Sequence, residues 1–326
     1  MAAKIFKDLP GGLKMPAIEI GTWQITDEAD IETALNTALE LGYRHIDTAF
    51  AYENEHFIGR VLQEWFSSGK LKREDLFITT KLPLQGVHPD RVEMFIKKSL
   101  ENLKLDYVDL YLIHFPVGLK YVEGETNPSL VDMQTEPEDH VGVWKKMEEQ
   151  VDAGRTKTIG LANFNVRQID RILQSARIKP ACLQVELHVY LQQRELVKFC
   201  LQNGFVVVAY SPLGCPGYNK SLEEIGAEPK KLPDMLHDET IKKIATKHTK
   251  STAQVMLRYL LQRDLVAIPK SVTPARIKVN IDVFDFSLDA AEVKALDDLE
   301  VGEEARVCDF KIIPALLNHP EFPFSK

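Results

Sequence analysis

A chain of 326 residues with 44% hydrophobic and 27% charged side chains has the composition of a globular protein and length for one large α/β domain or two smaller ones, which excludes a disordered chain. No apolar run reaches the roughly 18 residues of a membrane span, and the stretch from Met1 to Asp8 carries no apolar signal-peptide core, so the expectation is a cytosolic chain with no membrane partner. A formal net charge of −8 offers nucleic acid no broad basic surface.

In chain order, the first regular signal is Leu9-Pro10-Gly11-Gly12-Leu13, which reads as a hairpin turn able to plug the bottom of a barrel. Ile31, Ala34, Leu35, Ala38 and Leu39 then recur at helical spacing. Polar and acidic residues across Thr26–Asp30 suit the start of that helix and Gly42 its stop. Short apolar or β-branched runs follow at Tyr43–Asp47, Leu76–Lys81, Tyr107–His114, Thr156–Leu161, Ala181–Val185, Phe205–Ala209, Leu265–Pro269 and Ile281–Phe284, with helical segments between most neighbours. Eight such units predict an α/β fold: a parallel sheet that closes as a (β/α)8 TIM barrel, one domain over 1–326. An open doubly wound sheet is the other arrangement; it would want a G-x-G-x-x-G turn after a first strand, which the chain lacks. Val117–His140 and Gly214–Leu236 read as long loops over the C-terminal face of the barrel, where active sites sit, and Val301–Lys326 as a segment that folds across the same face.

Cys182, Cys200, Cys215 and Cys308 are scattered without a C-x-x-C pair, and the nine histidines form no H-E-x-x-H motif. Inert thiols and no metal are expected. Four polar residues, Asp47, Tyr52, Lys81 and His114, fall at or just beyond the ends of the first three apolar runs. Singly, each has an ordinary reading, such as a solvent-facing ion pair or a satisfied structural histidine. Together, at converging strand ends, they read as a site. A buried tyrosine beside an ammonium and an imidazole is a proton donor, its pKa expected to fall below about 10 under the positive charge, with Asp47 holding Lys81. A second group, Lys270, Ser271, Val272, Thr273 and Arg276, lies where the last strands of a barrel form phosphate sites, its alternative being an exposed basic loop.

These residues carry a resemblance over nearly the whole chain. Gly42-Tyr43-Arg44-His45-Ile46-Asp47-Thr48-Ala49 followed by Tyr52, Ile78-Thr79-Thr80-Lys81-Leu82, and Leu110-Tyr111-Leu112-Ile113-His114 resemble the signatures of the aldo-keto reductases. Gly21-Thr22-Trp23, Gln184 with Glu186 and His188, Tyr210-Ser211-Pro212-Leu213, and Ile268-Pro269-Lys270-Ser271 with Arg276 match in the same order. The resemblance implies NADPH-dependent reduction of aldehydes and ketones, with Tyr52 as general acid, Lys81 and Asp47 tuning it, and His114 placing the carbonyl. It assigns NADPH to Thr22, Asn163, Gln184, Tyr210, Ser211, Leu213, Lys270, Ser271, Val272, Thr273, Arg276 and Asn280. Within that set Tyr210 stacks on the nicotinamide, Asn163 and Gln184 hold its carboxamide, and Lys270 and Arg276 meet the 2′-phosphate. Trp23 and Phe115, with Tyr52 and His114, line the substrate pocket. The family is commonly monomeric.

The chain departs from the family at Ala162, Cys215 and Val279, where serine, serine and an acid are usual, which bears on cofactor affinity. Phe115 and Pro83 stand where tryptophan and an aromatic are frequent, so a wider pocket is expected, open to bulky apolar carbonyls such as lipid aldehydes or steroid ketones. Two other functions fit parts of the pattern: a Schiff-base aldolase using Lys81, and a cofactor-sensing regulatory subunit.

Overall fold

The computed structural model describes residues 5–124, 133–224 and 226–325. The hairpin comes first. β1 (Phe6–Asp8) pairs antiparallel with β2 (Lys14–Pro16) across the expected Leu9–Leu13 turn, and buried Leu9 and Met15 join the main core, so the hairpin covers one end of it.

Strands and helices then alternate. β3 (Ile20–Gly21) leads to α1 (Glu28–Leu41), β4 (His45–Asp47) to α2 (Glu55–Ser67), and β5 (Phe77–Leu82) to α3 (Val92–Leu103). After β6 (Val108–Ile113), a ribbon of β7 (Gly118–Leu119) and β8 (Thr135–Glu136) precedes α4 (His140–Asp152). The rhythm continues with β9 (Thr156–Ala162), α5 (Val166–Leu173), β10 (Cys182–Glu186), α6 (Arg194–Gln202) and β11 (Val206–Tyr210). Next come α7 (Tyr218–Glu224), α8 (Glu239–His248), α9 (Thr252–Gln262), β12 (Val266–Ile268), α10 (Pro274–Ile281), α11 (Ala290–Asp297) and α12 (Pro314–Leu317).

Eight of these strands form one parallel sheet in the order β3-β4-β5-β6-β9-β10-β11-β12. The two edges meet. Glu19 N donates to Ala267 O at 3.0 Å, Ala267 N to Ala17 O at 3.1 Å, and Ile18 bridges Ala267 in parallel, so the sheet closes into the expected barrel, covered by helices. Close approach at the seam depends on Gly21, where a Cβ would stand 2.9 Å from Ile268 Cγ2. The first helix behaves as its residues dictate: Asp27 accepts from the backbone N–H of Ala29 and Asp30, and Gly42 ends it at φ 95°.

Three expectations change. Ile281–Phe284 is not a strand: Ile281 closes α10, and the next carbonyls are taken by side chains, Asp282 O by Gln254 Nε2 at 2.6 Å and Val283 O by Arg258 Nη1 at 3.3 Å. The eighth strand is β3 at the other end of the chain, too short to show a period. The four polar residues therefore stand at the ends of the second, third and fourth barrel strands. Gly214–Leu236 is not all loop, since it carries α7. Within Val117–His140, residues 125–132 lie outside the described residues, and the flanks pair as β7 and β8.

Candidate active site

In a strand, alternate residues share a face. His45 and Asp47 on β4, Thr79 and Lys81 on β5, and Cys182 and Gln184 on β10 thus point into the barrel. Gln184 demonstrates it by reaching across the interior, Nε2 donating to Asp47 Oδ2 at 2.8 Å.

Lys81 is fully buried, and its ammonium donates to Asp47 Oδ1 at 2.6 Å, Thr48 O at 2.8 Å and Tyr52 OH at 3.2 Å. Burial is the largest influence on this lysine and pulls its pKa down, but Asp47 and Tyr52 outweigh it and hold the ammonium above its ordinary value. Tyr52 closes a 3-10 turn at Phe50–Tyr52. Its ring meets the His114 ring edge-on at 5.6 Å. Burial pushes the phenol up to about 12 despite the Lys81 charge. The expectation of a lowered phenol is therefore corrected: desolvation of the phenolate exceeds the attraction of one ammonium that Asp47 already neutralises. His114 is held well below the ordinary imidazole range, first by burial and then by Lys81, so it is neutral. Its Nδ1 is buried with no hydrogen-bond partner among the described residues.

Amides tie this group to the next strands. Asn163, at a left-handed φ of 64°, donates through Nδ2 to His114 O at 2.9 Å and accepts from Tyr210 OH at 2.8 Å. Thr22 donates through Oγ1 to Asp47 O at 3.0 Å. Asn54 is clamped beneath it, donating to Thr22 O and Ile25 O and accepting from Thr48 Oγ1.

One cavity of about 1050 Å³ begins at Tyr52, His114 and Trp23 and runs to Lys270, Thr273 and Arg276. Its walls include Asp47, Phe115, Asn163, Gln184, Tyr210, Ser211, Leu213, Ser271, Val272 and Asn280. Of the residues given catalytic, cofactor or substrate roles from the sequence, all are on this surface except Thr22 and Lys81, which stand behind it. Lys270 and Arg276 make no ion pair among the described residues. Between them α10 begins at Pro274 with no side-chain cap from Thr273, while Ser271 Oγ accepts from Thr273 N at 3.1 Å. Two cations, hydroxyls and an open helix N-terminus fit a phosphate group. Ser211 and Cys215, at φ 48° and 46°, form a strained rim beside this stretch.

Other lining residues come from the chain's end, which the sequence marks only as a segment. Cys308, Phe310, Ile313 and Leu316 line the cavity. Phe115 packs on Phe310, Phe322 and Phe324 at ring distances of 5.0, 6.4 and 6.0 Å. The frame expected to be loose at Phe115 is thus filled by phenylalanines from the last residues. One anchor of the segment is Glu186 at the end of β10, whose carboxylate accepts from Val307 N and Cys308 N, both at 2.7 Å, and lies 3.0 Å from His188 Nε2; Lys230 Nζ donates to Val307 O at 2.6 Å, and Arg171 Nη2 and Gln168 Nε2 donate to the Glu321 carboxylate, both at 3.0 Å. Of this anchor the sequence offered Glu186 and His188, without their role.

Among the described residues no helix is long and apolar enough to cross a membrane. Residues 17–301 match the family model described as aldo/keto reductase family. Aldo-keto reductase family 1 member A1 of Gallus gallus is 44% identical over 98% of this chain and 97% of that protein, and its Xenopus tropicalis counterpart 42% over the same shares. Family 1 member C13 of Mus musculus is 39% identical over 97% of this chain and 96% of its own. A solved aldose reductase from Schistosoma japonicum superposes with a TM-score of 0.86 at 39% identity, covering 99% of each chain. The chain belongs to the aldo/keto reductase family, a family of oxidoreductases that act on carbonyl compounds.

Proposed function

We propose that this protein reduces aldehydes and ketones to alcohols with NADPH, Tyr52 donating the proton. The observation that carries this reading is the single cavity joining the Tyr52–His114 end to the unpaired cations Lys270 and Arg276. A nicotinamide dinucleotide bound along it supplies a hydride to the carbonyl carbon. Lys270 and Arg276 hold the 2′-phosphate, the added dianion that separates NADPH from NADH. Thr22, Asn163, Gln184, Tyr210, Ser211, Leu213, Ser271, Val272, Thr273 and Asn280 form or support the remaining wall.

The chain's own groups manage the oxygen. Neutral His114 and the Tyr52 phenol converge on one point at the cavity end, where a carbonyl oxygen accepts two hydrogen bonds. A phenol at about 12 keeps its proton at neutral pH, and Lys81, 3.2 Å from its oxygen, steadies the negative charge as that proton leaves. Asp47 keeps Lys81 charged and aimed. That same ion pair disfavours the Schiff-base reading: an amine held as a buried ammonium has no free lone pair for a carbonyl carbon. Trp23 and Phe115, with the phenylalanines behind Phe115, give the substrate an apolar wall, which favours bulky apolar carbonyls over small polar ones.

The test is consumption of reduced cofactor with an aromatic aldehyde, NADPH beside NADH. Turnover with a preference for NADPH supports the reading. Equal use of the two removes the role given to Lys270 and Arg276, and tight NADPH binding with no reduction of any aldehyde or ketone in a broad panel favours the cofactor-sensing alternative.

A further inference from the structure

Below the tetrad, inside the barrel, lies a second pair of titratable groups that the proposed reaction does not use. Glu19 is 1% exposed and His45 fully buried, and Glu19 Oε2 stands 3.2 Å from His45 Nε2. No described residue donates a hydrogen bond to either oxygen of Glu19. On the other side of the ring, His45 Nδ1 lies 3.3 Å from Pro16 O.

That carbonyl can only accept, so Nδ1 carries the proton. In a neutral ring Nε2 is then a bare lone pair, and the Thr79 hydroxyl, 2.9 Å away, is placed to donate to it. A carboxylate 3.2 Å from the same lone pair would be repelled, with both its oxygens buried and unbonded at a cost of several kcal/mol. A proton on the Glu19 carboxyl removes the charge, and with it the repulsion and most of the burial cost. It sits on the carboxyl because of what faces the two groups from the neighbouring strands: Asp47 on β4 opposes an anion at Glu19 more than Lys81 on β5 favours one, Lys81 opposes a cation at His45, and the Cys182 thiol on β10 contributes no positive charge.

We propose that Glu19 is a neutral carboxylic acid beside a neutral His45 ring, a proton-holding group that keeps the floor of the barrel uncharged and leaves Asp47 as the anion that positions Lys81. Burial, the main cause, and then Asp47 hold the Glu19 carboxyl well above the ordinary carboxylate range, and burial takes His45 down to about 3, in agreement with this geometry. The protonation state stands independently of the proposed reaction; only the role toward Lys81 rests on it.

A group whose folded pKa is raised binds its proton more tightly in the folded state, so its contribution to stability is full below the unfolded pKa and is lost as pH rises. The experiment compares thermal unfolding of the full chain with that of Glu19→Gln, which keeps the donor and cannot ionise. As pH rises above the ordinary carboxylate range, Glu19→Gln should gain on the wild type by about 2 °C per pH unit until the folded carboxyl ionises. A constant difference would mean that the folded pair holds no extra proton, which overturns the proposal; an ionised Glu19 beside a charged His45 holds the same single proton and gives the same rise, so the ring nitrogens must separate those two states. Nitrogen NMR of His45 in the wild-type protein decides independently of the variant: a neutral ring protonated at Nδ1 is expected, and a doubly protonated ring, or one protonated at Nε2, contradicts it. If no carbonyl is reduced by either protein, the proposed reaction fails while these two readouts still decide the pair.

Discussion

At one end of the cavity Asp47, Lys81 and Gln184 stand on barrel strands and bond one another at 2.6 and 2.8 Å. At the other wall Phe310, Ile313 and Leu316 come from a segment whose regular structure is two short turns, Glu303–Ala305 and Pro314–Leu317, held in place in part through Glu186. The strand-borne end is fixed by the same ladders that hold the fold, so its geometry is inseparable from the core. The segment is fixed by side-chain hydrogen bonds, by ion pairs such as Arg171–Glu321 and Lys230–Asp309, and by an aromatic cluster, none of which belongs to the barrel's strand ladders. Chemistry belongs on the first kind of support and selection among substrates on the second.

The sharpest way to break this comparison is at the strand-borne end. Lys81→Met should strand the Asp47 carboxylate in the barrel, costing about 3–5 kcal/mol of stability, and lower turnover by about 100- to 10,000-fold. Both are read by denaturant unfolding and steady-state kinetics on one preparation. Loss of activity with unchanged stability would detach the ion pair from the core. Next in size, Lys270→Ala should weaken NADPH binding by about 10- to 100-fold while leaving NADH nearly unchanged, measured by fluorescence titration with each cofactor. An equal loss for both would move Lys270 away from the 2′-phosphate.

The smallest effect belongs to the segment. Burial is the largest influence on Glu186 and opposes its charge, but His188, the Val307 N–H and Arg306 outweigh it and hold the carboxyl below its ordinary value of 4.5. A depressed carboxyl contributes stability that is present above that ordinary value and is lost as pH falls through the folded one. Glu186→Gln should therefore cost about 1.5 kcal/mol at neutral pH, with the deficit disappearing in acid. KM for bulky apolar aldehydes should rise more than KM for small ones. A deficit that persists at acid pH would show that the carboxylate's charge is not what grips Val307 and Cys308.

The same contrast explains what the sequence disclosed. Asp47, Lys81 and His114 were legible because each ends an apolar run, and a barrel brings such ends together. Lys270 to Arg276 were legible as a cation cluster beside the last strand. β3 was not, because two residues make no period and its pairing with the chain's last strand is a long-range fact. Ile281–Phe284 passed for a strand because buried Ile281 and Val283 alternate with less buried neighbours, whereas the carbonyls there are satisfied by Gln254 and Arg258. The direction of the Tyr52 shift depended on the balance of burial against charge, which spacing does not carry. Phe310, Phe322 and Phe324 gave no sign of their destination, since that segment is gripped by residues far earlier in the chain, among them Glu186, Arg171 and Lys230.

The central claim is that the Tyr52 oxygen donates the proton. Replacing it with phenylalanine keeps the ring against His114 and removes only the hydroxyl. NADPH binding and single-turnover reduction of an aromatic aldehyde should be measured on Tyr52→Phe and wild type together. The account predicts binding within about twofold and reduction slowed by at least about 100-fold. Reduction at a near-normal rate by the phenylalanine variant would contradict it.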